Sequence, residues 1–161
     1  MYIRNAVMSD VMTIYNLIDL YAKDGIVLAR TRASIYENLQ SMYVATENNE
    51  ILGIAGLHIL GEDLAEIRSL IVSPSHSGKG IGKALVNQIV IETAKLEIEK
   101  LLTLTYQVEF FKKCGFEIVE KETMPQKVWK DCINCAKFPV CDETAMVNHV
   151  RSSKVVKVEM V

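Results

Sequence analysis

The sequence lacks most of the features that mark specialised chains. No apolar stretch approaches the roughly 20 residues of a membrane-spanning helix, and residues 1–6 lack the apolar core of a signal peptide, so a cytoplasmic protein without membrane contact is expected. Neither charge sign dominates: 18 Lys and Arg stand against 20 Asp and Glu, a formal net charge of -2. With no basic run, that balance gives no general attraction to nucleic acid. Repeats and low-complexity segments are absent. Aromatic residues are few, and the only Trp, Trp129, reads as core. The 161 residues, half of them hydrophobic, suffice for one core and too few for two ordinary domains, so a single domain over 1–161 with a small-molecule partner is expected.

What the chain does have is a concentration of glycine. Gly78, Gly80 and Gly82 fall at alternate positions between the apolar strand Leu70-Ile71-Val72 and an amphipathic helix beginning at Ile81. Such a turn leaves backbone N–H groups unpaired at a helix N-terminus and lets a ligand approach the backbone, a cradle for a pyrophosphate. Two commoner nucleotide loops are excluded. A Walker A loop needs four residues between its first Gly and the Gly-Lys pair, then a hydroxyl for magnesium; here three residues separate Gly78 from Gly82, and Ala84 follows Lys83. A dinucleotide fingerprint needs a third Gly where Lys83 stands.

The rest of the chain alternates strands and helices. Residues 2–7 read as a strand, and Ser9 or Asp10 caps a helix carrying Val11, Ile14, Tyr15, Ile18 and Tyr21 at helical spacing up to Gly25. A short helix over 32–41 precedes a hairpin of 43–47 and 51–60 joined by Asn48-Asn49-Glu50. Strand 64–73 feeds the glycine loop, helix 81–96 leaves it, strand 100–105 follows, and a short helix over 108–113 closes at Gly115. Strands over 117–121 and 128–130, a Cys-bearing loop, and a C-terminal edge strand or tail over 150–161 complete the reading. Antiparallel strands first and strand-helix-strand units later predict a mixed α/β sheet.

The stretch from Val72 to Gly82 resembles the acyl-CoA pyrophosphate loop of the GNAT acetyltransferases, V-x-P-x-x-(R/Q)-G-x-G-(I/A/L)-G, with Ser77 in place of the usual Arg or Gln. The resemblance covers roughly residues 1–121. It implies a mostly antiparallel sheet flanked by helices and splayed at an acetyl-CoA site. Cofactor contacts then fall on Leu70, Ile71, Val72, Ser77, Gly78, Lys79, Gly80, Ile81, Gly82 and Lys83, and the backbone near Leu70–Val72 polarises the acetyl oxygen. Further segments are similar to the short, single-domain N-acetylglutamate synthases of that superfamily. These are Leu64-Ala65-Glu66-Ile67-Arg68-Ser69-Leu70, Leu104 to Phe111, Pro125-Gln126-Lys127-Val128-Trp129, Cys132 to Cys141 and Asp142 to Met146. The resemblance implies acetylation of the glutamate α-amino group, the first step of arginine biosynthesis.

An amine attacks only when neutral, so a base is useful. Glu66 and Arg68, two apart on one strand, share a face; the functional reading makes Glu66 the base and Arg68 a carboxylate anchor, and the structural one makes them an exposed ion pair. Arg30 and Lys127 are further anchor candidates, since glutamate brings two carboxylates. The segment Phe110-Phe111-Lys112-Lys113-Cys114-Gly115-Phe116 carries Phe where the family's proton-donating Tyr often stands. Tyr106, Cys114 or departure of an unprotonated thiolate remain, with Tyr106 the nominated group. His76, beside two serines, reads as an exposed loop residue. No Cys paired with His and an acid suggests a covalent intermediate, so direct transfer is expected.

Cys132, Cys135 and Cys141 contain a C-x-x-C pair without a local fourth ligand; Cys114, Asp142 or His149 could complete a zinc site, but reduced thiols are the leading reading and no metal is expected. Pairing of a C-terminal edge strand would give a homodimer. The alternatives are an acetyltransferase for another small amine and a catalytically weak acyl-CoA-binding sensor, the latter suggested by Ser77 and Phe111.

Overall fold

The computed structural model describes residues 1–124 and 142–150. They fall into two compact units: Met1–His58 with Ile67–Ile89, and Ile59–Glu66 with the chain from Val90.

In the first unit β1 (Tyr2–Asn5) pairs antiparallel with β2 (Met42–Glu47), and β2 with β3 (Glu50–Gly61). Asn48 and Asn49 join the hairpin with φ of 52° and 65°; Asn is among the few residues that enter this region at low cost, which suits a two-residue hairpin turn. Helix α1 (Val11–Ala22) buries Val11, Ile14 and Ile18 against Val44, Ile54 and Ile71, which is the apolar stripe the spacing predicts. Its start differs from expectation. A 3-10 turn over Met8–Asp10 precedes it, and the Asp10 carboxylate accepts from the Val7 N–H at 2.8 Å and from both Arg4 Nη atoms at 2.7 and 3.1 Å rather than capping α1. That bidentate bond to Arg4 and the Val7 N–H hold the Asp10 carboxyl below its ordinary range, against the opposing effect of burial.

Helix α2 (Arg32–Glu37) is capped by Thr31 Oγ1, which accepts from the Ser34 N–H at 3.0 Å. It is shorter than the predicted 32–41 because the Asn38 side-chain amide donates to the Ser34 carbonyl at 2.8 Å and the chain tightens into a 3-10 turn over Leu39–Ser41. Strand β4 (Leu64–Val72) begins in the second unit and ends in the first; helix α3 (Ile81–Lys95) begins in the first.

In the second unit the start of β4 runs parallel to β5 (Lys100–Thr105), with Glu66 opposite Leu102. Helix α4 (Val108–Lys113) follows and ends at Gly115, φ 90°. Strand β6 (Glu117–Val119) is shorter than predicted and gives way to a 3-10 turn over Lys121–Thr123. Strand β7 (Thr144–His149), which the sequence reading did not predict, inserts between β5 and β6 and pairs antiparallel with both. Its Ala145, Met146 and Val147 are consecutively buried, so it has no two-residue alternation to betray it. Leu64, Leu102, Ala145 and Val147 form the core here.

The seven strands are ordered β1-β2-β3-β4-β5-β7-β6, a mixed, mostly antiparallel sheet flanked by helices, as predicted. The predicted strand over 128–130, the loop with Cys132, Cys135 and Cys141, and the C-terminal edge strand or tail over 150–161, apart from Val150, lie outside the described residues.

Candidate active site

The glycine loop belongs to the first unit. At its start the Tyr21 hydroxyl donates to the Val72 carbonyl at 3.1 Å, and the Ser73 N–H donates to the Leu52 carbonyl at 2.8 Å. Pro74–His76 form a 3-10 turn, and Ser77, Gly78, Lys79 and Gly80 follow, all exposed. Gly78 and Gly80 both have φ of 80°, and a Cβ at either would meet nothing within 4 Å. Glycine is needed there for the backbone angle, while the space beside it is open. Ile81 is buried and anchors the first turn of α3, whose first cap bond runs from the Ala84 N–H to the Gly80 carbonyl at 3.1 Å. The backbone N–H groups from Ser77 to Lys83 donate to no described backbone carbonyl. A 15-residue helix presents its positive end here, beside the exposed side chains of Lys79 and Lys83. That is an anion-binding arrangement.

Gly53 on β3 sets where this loop sits, and the sequence reading passed over it. A Cβ there would lie 2.9 Å from the Ile71 carbonyl, 3.1 Å from Leu85 Cδ1 and 3.2 Å from Ile81 Cγ2. The start of α3 can therefore press on the sheet only because residue 53 has no side chain. An isolated Gly inside a strand pattern is the signal that could have found it.

His76 corrects an expectation. Its side chain is 19% exposed, with Nδ1 3.0 Å from Ser75 Oγ and Nε2 3.9 Å from Glu50 Oε1. Along β4, Leu70 and Val72 are half-buried and Ile71 is buried. Just before them Ser69 takes φ 54°, a left-handed residue inside a strand, which breaks the regular alternation at this point. Arg68 is half-buried, as is Arg30 between α1 and α2; Lys127 lies outside the described residues.

The second unit holds the proposed acid-base groups. Glu66 is 6% exposed, so it does not lie on the surface as the exposed-pair reading has it. A carboxylate in that position is retained only with partners, and no buried side-chain polar atom among the described residues is orphaned. Tyr106, at the end of β5, is exposed and donates its hydroxyl proton to Asp142 Oδ1 at 2.7 Å. Phe111 is buried, with its ring edge-on to Phe110 at 5.0 Å and Phe116 at 5.1 Å. An apolar cluster therefore occupies the position where the loop resemblance leads one to expect a phenol.

Two groups named as zinc completers have other partners: Asp142 accepts from Tyr106, and His149 Nε2 lies 3.0 Å from Glu117 Oε1. Among the described residues no cluster of three or more metal-ligating side chains occurs, and no helix is long and apolar enough to cross a membrane.

Residues 38–118 match the family model described as the acetyltransferase (GNAT) domain. An uncharacterized N-acetyltransferase of Chlorobaculum tepidum is 37% identical over 90% of this chain and 94% of its own length. An amino-acid acetyltransferase of Mycobacterium tuberculosis is 33% identical over 80% of this chain and 75% of its own. Among solved structures, a Mycobacterium tuberculosis protein in complex with CoA and NLQ is similar with a TM-score of 0.80 at 29% identity, over 92% of this chain and 99% of that one. N-acetylglutamate synthase from Neisseria gonorrhoeae, complexed with coenzyme A and N-acetyl-glutamate, gives a TM-score of 0.84 at 25% identity, over 92% of this chain and 35% of that one. With the family match spanning half the sequence and relatives aligned over most of their length, the chain belongs to the GNAT acetyltransferases and uses acetyl-CoA as its acetyl donor.

Proposed function

We propose that this acetyltransferase acts, as one domain in the cytoplasm, on the α-amino group of a free amino acid, L-glutamate, in the first step of arginine biosynthesis. The observation that carries the reading is the burial of Glu66 in β4, a carboxylate with no reason to be buried on the surface-pair account. Support for the acceptor comes from the relatives: one is an amino-acid acetyltransferase, and a structural neighbour is a synthase complexed with N-acetyl-glutamate.

In this reading Glu66 takes a proton from the substrate ammonium, directly or through water, which frees the nitrogen lone pair. The amine attacks the thioester carbonyl carbon, the C–S bond breaks as the tetrahedral adduct collapses, and the second proton on nitrogen passes to water as the amide forms. The backbone of Leu70, Ile71 and Val72 polarises the acetyl oxygen while charge develops on it. The N–H groups from Ser77 to Lys83, with Lys79 and Lys83, hold the pyrophosphate. Arg30, Arg68 and Lys127 anchor the two carboxylates. Tyr106 has its proton directed at Asp142. CoA therefore leaves as a thiolate, which is inexpensive for a thiol whose pKa is about 8.5, and takes its proton from water.

The test is release of free CoA thiol from acetyl-CoA by the purified protein across amino acids, polyamines and short peptides. Release with glutamate, with N-acetylglutamate identified by mass, is the expected outcome. Release with another amine alone overturns the glutamate reading.

A further inference from the structure

The glycine loop is held at both ends, and one of the holds has no role in the function described above. At its far end Ile81 is buried and Ala84 is bonded to Gly80. At its near end a row of polar side chains runs outward from Ser73. Ser73 Oγ lies 3.3 Å from Ser75 Oγ, Ser75 Oγ lies 3.0 Å from His76 Nδ1, and His76 Nε2 lies 3.9 Å from Glu50 Oε1. Glu50 is the first residue of β3, directly after the Asn48-Asn49 turn. The row thus ties the loop to the β2–β3 hairpin by side chains, in addition to the backbone bond from Ser73 to Leu52 at 2.8 Å.

The imidazole suits this position chemically. One ring nitrogen lies at hydrogen-bond distance from the Ser75 hydroxyl and the other faces the Glu50 carboxylate at 3.9 Å, so a single ring bridges the two neighbours. The next four residues, Ser77 to Gly80, are exposed and include the two left-handed glycines. A flexible segment binds its ligand at the cost of being ordered, and fixing one end beforehand lowers that cost.

We infer that His76, braced by Glu50 and Ser75, is a positioning residue that pre-orders the cofactor loop and so sets affinity for the CoA moiety, without touching the reacting atoms. The inference rests on the reading that Ser77–Lys83 hold the pyrophosphate, and the test separates the two.

CoA binding to the full chain is measured by calorimetry, alongside thermal melting. His76→Ala is expected to weaken CoA binding about three- to fivefold, the range of a partly exposed polar tether, with the melting midpoint unchanged. His76→Gln, which keeps an N–H donor reaching toward Glu50, is expected to restore binding to within about twofold of the parent. Glu50→Gln weakens binding alone but adds nothing in the His76→Ala background, since both act through one contact. Gly80→Val serves as the control on the loop: unchanged CoA affinity there overturns the pyrophosphate reading and this inference with it. If Gly80→Val abolishes binding while His76→Ala matches the parent, the His76 role alone is overturned. A lowered midpoint in His76→Ala without rescue by Gln also overturns it, because the side chain then only stabilises the fold.

Discussion

The hydroxyl of Tyr106 donates to the Asp142 carboxylate at 2.7 Å, fastening the end of β5 beside the start of β7. A phenol whose proton is engaged in this way is a joint between strands. Tyr106→Phe is therefore expected to lower kcat by less than about tenfold, whereas loss of a true general acid costs roughly a hundredfold or more. Steady-state kinetics decide it, and a fall of a hundredfold would restore Tyr106 to the catalytic step.

Glu66→Gln removes a proton acceptor while keeping nearly the same shape at a buried position. The expected result is a kcat lower by about 100- to 10,000-fold near neutral pH, with CoA affinity unchanged. Raising the pH should recover part of the loss, because free amine then forms without a base. An unchanged rate would remove Glu66 from the mechanism.

Gly53 and Gly80 should respond to alanine in different ways. At residue 53 the new Cβ would lie 2.9 Å from a backbone oxygen, which cannot rotate aside. Gly53→Ala is expected to cost about 1–3 kcal/mol and to weaken CoA binding, because Ile81 and Leu85 must move. Gly80→Ala meets open space and pays only for its φ of 80°, about 1–2 kcal/mol. Melting curves with and without CoA separate the two: displacement of α3 in the first, local strain in the second.

The pair of Arg4 and Asp10 predicts an acid limb to stability. Asp10's carboxyl is held below its ordinary 3.8 in the folded state, chiefly by the hydrogen bond from Arg4. A depressed carboxyl contributes stability that is complete above the unfolded value and is lost as the pH falls through the folded one. The Arg4 guanidinium is raised above its ordinary value, chiefly by the same bond, so it stays charged and its contribution is constant across acid and neutral pH. Stability should fall from about pH 4 downward, and Asp10→Asn should flatten that part of the curve while lowering stability at pH 7 by about 1–3 kcal/mol. Urea melts from pH 2 to 7 test both statements; an equally steep acid limb in the Asn variant would exclude Asp10 as its source.

Where the sequence was legible, a local rule agreed with the tertiary outcome. Helix α1 announced itself because Val11, Ile14 and Ile18 repeat at the spacing of one buried face. The Asn48-Asn49 hairpin was legible because few residue pairs tolerate two left-handed positions in succession. Strand β7 was not, because burial on both faces erases alternation, and its partners β5 and β6 are fixed by topology rather than by neighbouring residues. His76 looked like an exposed loop residue because its distant partner Glu50 is 26 positions earlier in the chain.

The sequence by itself determined the chemistry available: three alternate glycines ahead of a helix, a carboxylate in the strand before them, and phenylalanine where a phenol would serve as acid. These are properties of residue type and short-range spacing, which the chain carries whatever its fold. Only the tertiary structure decided that Glu66 is buried, that Gly53 admits the start of α3, that Tyr106 gives its proton to Asp142 and that His76 reaches Glu50. Each of those depends on the approach of groups remote in sequence. That approach is set by strand order and by burial of the two cores, where packing of the whole chain outweighs any local preference.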